Sequence, residues 1–242
     1  MLNVHSIETF GTHEGPGIRL VIFLQGCNFR CLYCHNVDTQ NVNTKAKQMS
    51  SDDVIELLKK EKEYFKDKGG LTVSGGEPTL QVEGLVDLFK KAKKIGFRTA
   101  LDTNGSLFTD QVCKLYEYTD LVLLDIKHIN LKWHKKITGF SNENVLKTAE
   151  YLETHKKKMW LRYVLVPGYS DQEEYLYKWG QHFKDFKYVE RVEILPYHTL
   201  GVYKYKLLGK SYPLSRVKPP TADEVEKAKG IFLQYFNKVY IR

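Results

Sequence analysis

Short apolar segments alternate with longer amphipathic segments along most of the chain, and this alternation limits the fold more than any other feature. An apolar run bounded by turn residues is typical of a buried strand, whereas apolar residues spaced three or four apart are typical of a helix. The clearest helix is predicted over 51–58, where a Ser or Asp cap precedes the apolar residues. Further helices are predicted at about 80–94, 109–118, 142–156, 172–186 and 221–236, and strands at 18–24, 70–74, 97–103, 120–126, 158–166 and 188–196.

Strands that alternate with helices form a parallel sheet with right-handed crossovers. Six such units are too few for a closed eight-unit barrel. We therefore predict an α/β fold, either an open or partial barrel or a doubly wound sheet, that ends in a C-terminal helix. The 242 residues, 42% of them hydrophobic, are enough to bury one sizeable core, so we expect a single domain over 1–242.

Composition argues against several classes of function. No run approaches the roughly 20 apolar residues of a membrane span, and the N-terminus lacks the basic start and apolar centre of a signal peptide. A cytoplasmic protein with reduced cysteines is expected. The net charge of +8 is scattered over helix-like segments, which indicates a solvated basic surface with no nucleic-acid partner and no membrane partner.

Polar and glycine-rich sequences follow the predicted strands. The first strand runs into a cysteine-rich segment, and the later strands run into S-G-G-E, D-T-N-G, D-I-K-H, V-P-G-Y and P-Y-H. In α/β folds, ligands bind at the carboxyl ends of the strands, where loops from distant parts of the chain meet. Their convergence at one edge of the sheet predicts an active site there.

The cysteine-rich segment, Q-G-C-N-F-R-C-L-Y-C-H-N over 25–36, contains three of the four cysteines of the chain. Cys27, Cys31 and Cys34 have the spacing C-x3-C-x2-C. In a reducing compartment, such a local group indicates a metal centre before it indicates a disulfide.

Two kinds of metal centre are considered for these thiols. Structural zinc usually takes four protein ligands, and both candidates for the fourth are poor: His35 adjoins Cys34, and Cys113 fits better as a small buried hydrophobe in a helix. A cubane iron–sulfur cluster bound by only three cysteines has one iron without a protein ligand, which is an open position for a small molecule. The incomplete ligand set therefore indicates a catalytic metal centre rather than a structural one.

The spacing C-x3-C-x2-C, with Tyr33 before the last cysteine, resembles the signature of the radical S-adenosylmethionine superfamily. The resemblance implies a [4Fe–4S] cluster bound by Cys27, Cys31 and Cys34, whose open iron chelates the amino and carboxylate groups of S-adenosylmethionine. It also implies that one electron cleaves the sulfonium to give a 5′-deoxyadenosyl radical, which abstracts a hydrogen atom. The residues that the resemblance assigns to the cofactor are Tyr33, Gly75, Gly76, Glu77, Asp102, Lys127 and His198.

Three of the residues assigned to the cofactor also have simpler interpretations. Glu77, in S-G-G-E-P, fits a turn with a capping Glu as well as a group close to the cofactor ammonium. Lys127, in L-D-I-K, fits an ion pair with the neighbouring Asp125 as well as a partner of the cofactor carboxylate. His198 fits a surface histidine, although it ends the last strand at the same edge.

Further motifs occur in family order over nearly the whole chain: G-T-H-E-G-P-G-I-R, L-D-T-N-G, L-L-D-I-K, L-R-Y-V-L-V-P-G-Y-S-D, I-L-P-Y-H-T-L-G and V-K-P-P. They narrow the resemblance to the activases of glycyl radical enzymes, with pyruvate formate-lyase as the expected protein substrate. The resemblance implies a partial (β/α)6 barrel and a flavodoxin or ferredoxin-type electron donor. It assigns a monovalent-cation site to Asp102, Thr103 and Asp125, and contacts with the substrate peptide to Glu14 and Arg162.

Two details bear on the choice of target. The family commonly has Asp where this chain has Glu14, whose carboxylate is one methylene farther from the backbone. Residues 35–74 contain no cysteine, whereas activases of some other glycyl radical enzymes carry a cysteine-rich insert at this point. The absence favours pyruvate formate-lyase. Two alternatives stay open, namely activation of another glycyl radical enzyme and a non-catalytic zinc-binding module of a nucleic-acid protein.

Overall fold

The computed structural model of the protein describes residues 1–42 and 46–242. The described strands are β1 (Leu2–Gly11), β2 (Arg19–Leu24), β3 (Lys47–Met49), β4 (Gly70–Gly75), β5 (Arg98–Thr103), β6 (Leu121–Asp125), β7 (Met159–Leu165), β8 (Val189–Pro196) and β9 (Val239–Ile241). The described α-helices are α1 (Ser51–Lys60), α2 (Lys62–Phe65), α3 (Val82–Lys94), α4 (Asp110–Glu117), α5 (Leu131–Thr138), α6 (Glu143–Thr154), α7 (Glu173–Phe183), α8 (Val202–Leu207) and α9 (Ala222–Phe232). Short 3-10 helices cover Val37–Thr39 and Pro78–Gln81.

The six strands predicted from the sequence are all present, as β2 and β4 to β8, and their ends agree to within one residue. The first predicted helix begins behind Ser50, whose hydroxyl accepts a hydrogen bond from the Asp53 N–H, so the predicted cap is confirmed. The last helix begins behind Thr221, which caps it in the same way. Sequence analysis missed β1, β3, β9, α5 and α8, because none of them has a long apolar run or a long helical period.

The chain forms two compact units, which are described one at a time. The first unit comprises Met1–Asn28, Thr39–Thr103 and Leu107–Leu123. In this unit β2 pairs in parallel with β4 and β4 with β5, while β1 runs antiparallel to both β2 and β3. The register places Leu24 beside Gly75, so β2 and β4 end at the same level and the segments that follow them leave the sheet together.

The second unit comprises Phe29–Asp38, Asn104–Ser106 and Leu124–Arg242. In this unit β7 pairs in parallel with β8, and β8 with β9. The register places Arg162 of β7 beside Glu193 of β8. The division between the units falls inside β6, whose last two residues belong to the second unit.

Aromatic side chains fill the core of the second unit. The ring of Trp179 lies 4.7 Å from that of Phe232 and 4.9 Å from that of Phe183, measured between centroids, and Tyr163 lies 5.5 Å from Phe232. Aromatic pairs at these distances add about 0.5–1.5 kcal/mol each beyond the area they bury. These aromatic contacts pack α7 and α9 against β7, the strand that also carries Arg162.

Parallel strands that alternate with helices confirm the predicted α/β class. The prediction of a single domain over 1–242 stays a prediction. Among residues 1–42 and 46–242, no helix combines the length and the apolar composition that a membrane crossing needs.

Candidate functional site

Cys31 and Cys34 belong to the second unit, in a segment that runs along the C-terminal end of α5. The Leu32 N–H donates to the Ile137 carbonyl at 3.0 Å, and the Cys34 N–H donates to the Cys31 carbonyl at 3.2 Å, which closes a turn between the two cysteines. Both thiols are free of disulfides and half-buried. Main-chain hydrogen bonds thus fix the backbone of the turn that carries both cysteines.

An apolar cluster surrounds this cysteine segment. The cluster comprises Tyr33, Ile137, Val166, Tyr197 and Leu214, and Cys31 and Leu32 pack against it. An apolar, hydrogen-bond-poor shell around a sulfur ligand limits the access of water and helps to set the reduction potential of an iron–sulfur cluster. The surroundings of Cys31 therefore suit a redox centre.

A buried ion pair lies beside the cysteine segment. Lys127 Nζ is 2.7 Å from Asp125 Oδ2 and 5.7 Å from the centroid of the Tyr33 ring. Burial by itself would lower the pKa of Lys127, but the Asp125 carboxylate together with Tyr33 and Cys31 outweighs it, and the pKa is raised well above its ordinary value. Lys127 is therefore a permanent cation next to Cys31. The ion pair predicted as the simpler interpretation is present, and it does not prevent the ammonium from meeting a ligand carboxylate.

The Tyr33 hydroxyl has no hydrogen-bond partner among the described residues, although it is buried. Burial raises the pKa of this hydroxyl well above its ordinary value, so it stays protonated. A buried hydroxyl without a partner costs about 1–3 kcal/mol. An orphaned donor beside Lys127 and Cys31 fits a position where a polar ligand completes the hydrogen bonding.

Two histidine rings lie against each other beside the cysteine turn, with their planes tilted by 42°. The centroids of His35 and His198 are 3.9 Å apart, and His35 Nε2 donates to the His198 carbonyl at 3.1 Å. A Cβ on Gly201 would come within 2.8 Å of the His35 Cα, so glycine is required for this approach. Burial lowers the pKa of both histidines, which favours neutral rings. His35 is thus engaged with the backbone, which weakens its candidacy as a zinc ligand.

Cys27 belongs to the first unit and lies just beyond the end of β2. The Gly26 N–H donates to the Thr39 carbonyl at 2.7 Å, and the Cys27 N–H donates to the Gln40 carbonyl at 3.3 Å. The Gly26 carbonyl in turn accepts the Glu77 N–H at 2.7 Å. The backbone that carries Cys27 is therefore bonded to the segment that follows β4.

Gly75 and Gly76 make this contact sterically possible. Gly75 has φ of +117°, and a Cβ there would lie 2.2 Å from the Leu24 nitrogen. A Cβ on Gly76 would lie 2.0 Å from the Gly26 carbonyl oxygen. In the first unit the two glycines thus let the strand ends pack backbone against backbone. Their predicted contact with a cofactor stays a prediction.

Glu77 is completely buried and caps the 3-10 helix that follows it. Its Oε1 accepts the Thr79 N–H at 3.0 Å and the Thr103 hydroxyl at 2.7 Å. The capping interpretation of S-G-G-E-P is therefore the one that the contacts support. A direct contact between this carboxylate and a cofactor ammonium stays a prediction.

The residues predicted for a cation site are divided between the two units. Asp102 is half-buried and accepts the Ser74 hydroxyl at 2.7 Å, and Thr103 is next to it in the first unit. Asp125 lies in the second unit, paired with Lys127. A common cation site formed by Asp102, Thr103 and Asp125 stays a prediction.

Sequence analysis missed Arg19, which organises the segment around Glu14. Arg19 is buried and its Nη2 donates to the Leu71 carbonyl at 2.7 Å, while the Thr72 hydroxyl donates to the Glu14 carbonyl at 2.6 Å. Burial lowers the pKa of Arg19 to about 10, which still leaves it charged. The Glu14 carboxylate itself is half-buried. The sequence did contain a signal for this role, because Arg19 is a charged residue inside the apolar run I-R-L-V-I-F-L.

Arg162 is held by Glu193, a second residue that sequence analysis missed. Arg162 Nε lies 2.9 Å from Glu193 Oε2, and Arg242 Nε lies 3.2 Å from Glu193 Oε1. Arg191 also pairs with this carboxylate. Glu193 is completely buried, so one carboxylate orients three guanidinium groups, including that of Arg162.

We expect Glu193→Gln to lower the free energy of unfolding by about 3 kcal/mol, because it leaves partly buried guanidinium groups without their counter-charge. Urea denaturation followed by circular dichroism measures this change. Glu174→Gln is the matched control, since the ion pair of Glu174 with Lys178 is exposed on α7 and contributes little to stability. Equal losses in the two variants would contradict a structural role of the buried carboxylate.

The arrangement of the possible ligand side chains can be compared with what a zinc ion and an iron–sulfur cluster each require. No three His, Cys, Asp or Glu side chains of the described part of the chain are gathered closely enough to hold a single metal ion. A structural zinc site needs four side chains around one ion. In an iron–sulfur cluster each thiolate binds a different iron, so the cysteines need not converge on one point. The zinc alternative therefore gains no support from the described residues.

Comparisons with known proteins agree with the cysteine motif. The chain matches the family model of the Radical SAM superfamily over residues 21–180. It is 49% identical over 235 residues to the pyruvate formate-lyase-activating enzyme of Streptococcus mutans, with 94% of this chain and 89% of that protein covered. It is 42% identical over 239 residues to the pyruvate formate-lyase 1-activating enzyme of Escherichia coli K12, with 98% and 97% covered.

A solved structure supports the fold. SuiB of Streptococcus suis, bound to its precursor peptide SuiA, matches with a TM-score of 0.73 at 16% identity, and the match covers 98% of this chain and 50% of that one. At so low an identity the likeness shows the fold alone. Together with the family match, it confirms the α/β partial-barrel class that was predicted from the sequence.

Proposed function

The chain belongs to the pyruvate formate-lyase-activating enzymes of the radical SAM superfamily, and we propose that it generates a backbone radical on one glycine of pyruvate formate-lyase. The observation that carries this proposal is the C-x3-C-x2-C segment within a chain 42–49% identical to such enzymes over nearly its whole length. Superfamily membership implies a [4Fe–4S] cluster and S-adenosylmethionine as cofactors. The alternative hypothesis of a non-catalytic zinc-binding module is therefore rejected.

Cys27, Cys31 and Cys34 are the residues that would hold the cluster. They form no disulfide and are half-buried, and the apolar cluster beside Cys31 suits a redox centre. When bound, the reduced cluster and S-adenosylmethionine supply the radical chemistry: one electron cleaves the sulfonium, methionine leaves, and the adenosyl fragment removes one hydrogen atom from the glycine. A hydrogen atom leaves rather than a proton, so no side-chain base is needed.

Lys127 and Tyr33 are the residues of the second unit that we assign to the cofactor. Lys127 stays protonated, and its ammonium group meets the methionine carboxylate of the cofactor. Asp125 holds the Lys127 ammonium group in place. The buried Tyr33 hydroxyl offers an unused donor beside it. His198 contributes to the same site as a neutral ring.

The first unit contributes backbone and carboxylate groups. Gly75 and Gly76 present main-chain carbonyls to the cofactor ammonium, and Asp102 supplies a carboxylate at the next strand end. Glu77 acts chiefly by capping, which fixes the glycines before it. Thr103 joins Asp102 and Asp125 in the proposed monovalent-cation site, because hard oxygen ligands suit such an ion.

Glu14 and Arg162 are the residues proposed to meet the glycine-bearing peptide of the partner. Arg162 has the more defined support, since its Nε donates to the completely buried Glu193 carboxylate, which fixes the guanidinium. A flavodoxin or ferredoxin-type protein in the cytoplasm is the proposed source of the electron. A reducing compartment keeps the three thiols available for iron.

Electron paramagnetic resonance tests the proposed function directly. The reconstituted enzyme is mixed under anaerobic conditions with dithionite, S-adenosylmethionine and pyruvate formate-lyase. We expect a glycyl doublet to appear in the spectrum. The matched control is pyruvate formate-lyase in which the target glycine is replaced by alanine, which gives no doublet. Cleavage of the cofactor without a doublet in the unmodified partner would reject pyruvate formate-lyase as the substrate and favour another glycyl radical enzyme.

A further inference from the structure

Residues 199–218 form an exposed segment of the second unit that the proposed function does not use, and we call it the basic segment. Large apolar side chains protrude from it: Leu200 is 77% exposed and Leu207 is 79% exposed. Tyr203 and Leu208 are exposed as well. Apolar groups that lie so close together on a surface, with charges around them, mark a site of interaction with another protein.

The charge of this segment has one sign only. Between Glu193 and Asp223 the sequence contains no acidic residue. The basic residues in this interval are Lys204, Lys206, Lys210, Arg216 and Lys218. Four of them are exposed, whereas Lys204 is half-buried. An apolar centre with a purely cationic rim is complementary to an acidic partner and would attract it from a distance.

The basic segment contacts the cysteine-rich segment and the residues that follow it at two places. Lys204 Nζ lies 3.0 Å from Asp38 Oδ2, four residues after Cys34. Gly201 lies against the backbone of His35, so the start of α8 covers the residue next to Cys34. The surface that carries the exposed leucines is therefore also the outer side of the segment that carries two of the cluster ligands.

The other end of the basic segment reaches the same place. Leu214 is a member of the apolar cluster that packs against Cys31. The Tyr212 hydroxyl donates to the Tyr197 hydroxyl at 2.9 Å, inside that cluster. The basic segment thus contributes to the apolar cluster against which Cys31 packs.

A cavity opens within the basic segment. Its volume is about 490 Å³, and its lining includes Val202, Tyr205, Lys206, Lys210, Tyr212 and Leu214. Two of these side chains are cationic and the rest offer an apolar or aromatic wall. A cavity of this size accepts a large side chain of a partner, as the anchor pockets of protein interfaces do.

We propose that the basic segment is the docking surface for an acidic one-electron donor protein. The inference rests on the proposed function, because it takes Cys31 and Cys34 as cluster ligands. On docking, the donor is oxidised by one electron and the cluster is reduced from its 2+ to its 1+ state, with no bond made or broken in the protein. A small apolar contact with a charged rim suits the weak, transient encounters of electron-transfer partners.

The acidic electron donor is favoured over the large protein substrate as the occupant of this surface. The segment contacts Asp38 and His35 beside the cysteine turn, and its Leu214 belongs to the apolar cluster against which Cys31 packs. A donor bound there lies close to the group that it must reduce. The residues assigned to the substrate peptide, Glu14 and Arg162, lie outside the segment. Docking of the substrate protein on this surface is an outcome that the experiment separates.

The test uses the double variant Lys206→Glu/Lys210→Glu of the reconstituted holoenzyme, with reduced flavodoxin as the probe. Calorimetry measures the affinity for flavodoxin, and stopped-flow bleaching of the cluster absorbance measures electron transfer. We expect the affinity and the transfer rate to fall at least about tenfold, and the salt dependence of binding to weaken. The matched control is Lys90→Glu/Lys94→Glu on α3, which changes the net charge equally at exposed positions.

Three results would overturn the inference: unchanged flavodoxin affinity in the Lys206/Lys210 variant, an equal loss in the Lys90/Lys94 control, or a loss of glycyl radical formation with dithionite as the reductant. The third result would assign the surface to the substrate protein. Dithionite needs no docking site, so radical formation by the unmodified enzyme with dithionite tests the proposed function separately. If that reaction succeeds and only the flavodoxin results fail, the docking surface alone is wrong.

Discussion

We expect the Cys31→Ala variant, after anaerobic reconstitution with iron and sulfide, to lack the visible absorbance of a cubane cluster and to form no detectable glycyl radical. In the proposed assignment Cys27, Cys31 and Cys34 are the protein ligands of the cluster, and the fourth iron is open to the cofactor. Loss of one ligand leaves two irons without a protein anchor. Absorbance, iron content and reductive cleavage of S-adenosylmethionine should therefore fall together.

Cys113→Ala is the control for the loss of a thiol as such. Cys113 lies in α4 of the first unit and is the only cysteine of the sequence outside the cysteine segment. We expect this variant to keep the full cluster content and activity. A cluster that survives in Cys31→Ala but disappears in Cys113→Ala would show that the ligand assignment is wrong.

The second large effect is expected for Gly76→Ala. The added Cβ would lie 2.0 Å from the Gly26 carbonyl oxygen, and a backbone atom cannot move aside as the end of a flexible side chain can. Displacing Gly26 stretches its hydrogen bond with the Glu77 N–H and shifts Cys27, the next residue. We expect a loss of about 2–3 kcal/mol in the free energy of unfolding, together with incomplete cluster assembly. Chemical denaturation and iron analysis of the same preparation measure both effects.

Gly230→Ala provides the comparison. Gly230 lies in α9, and a Cβ there meets no atom within 4 Å. Replacement of a helical glycine by alanine stabilises a helix by about 0.5–1 kcal/mol, so this variant should be neutral or slightly more stable and should assemble its cluster normally. If both glycine variants behaved alike, the close approach of the strand ends would have no part in holding Cys27.

The strands that carry the site could be predicted from the sequence because their interiors are buried on both faces. Runs such as I-R-L-V-I-F-L and D-L-V-L-L-D-I have few polar positions, and burial of the apolar side chains decides their conformation. The N-terminal strand β1 was missed because seven of its ten residues are partly or fully exposed. Helix α5 was missed because it is short, although its end fixes the cysteine turn.

Glu77 illustrates what a motif leaves undecided. A carboxylate after two glycines has the spacing required of a helix cap and also that required of a ligand for an ammonium. Only the contacts with Thr79 and Thr103 distinguish the two, and Thr103 comes from another strand. Sequence reasoning had no means of placing Thr103 beside Glu77.

Arg19 and Glu193 illustrate a signal that was available and not used. Arg19 lies inside an apolar strand and Glu193 lies in the buried middle of β8, where an ion is costly unless other groups of the fold compensate its charge. Such a residue predicts that partners exist without naming them, because those partners lie far away in sequence. The carbonyl of Leu71 for Arg19 and the guanidinium of Arg162 for Glu193 became identifiable only from the register of the strands.

Transfer of deuterium tests the central claim most directly. Pyruvate formate-lyase is prepared with deuterium on the α-carbon of its glycines and is mixed with the reduced enzyme and unlabelled S-adenosylmethionine, and the 5′-deoxyadenosine that forms is analysed by mass spectrometry. We expect this product to carry deuterium in proportion to the glycyl radical formed, because the hydrogen atom passes directly from the glycine to the adenosyl fragment. Unlabelled 5′-deoxyadenosine, formed while the glycine keeps its deuterium, would contradict the claim.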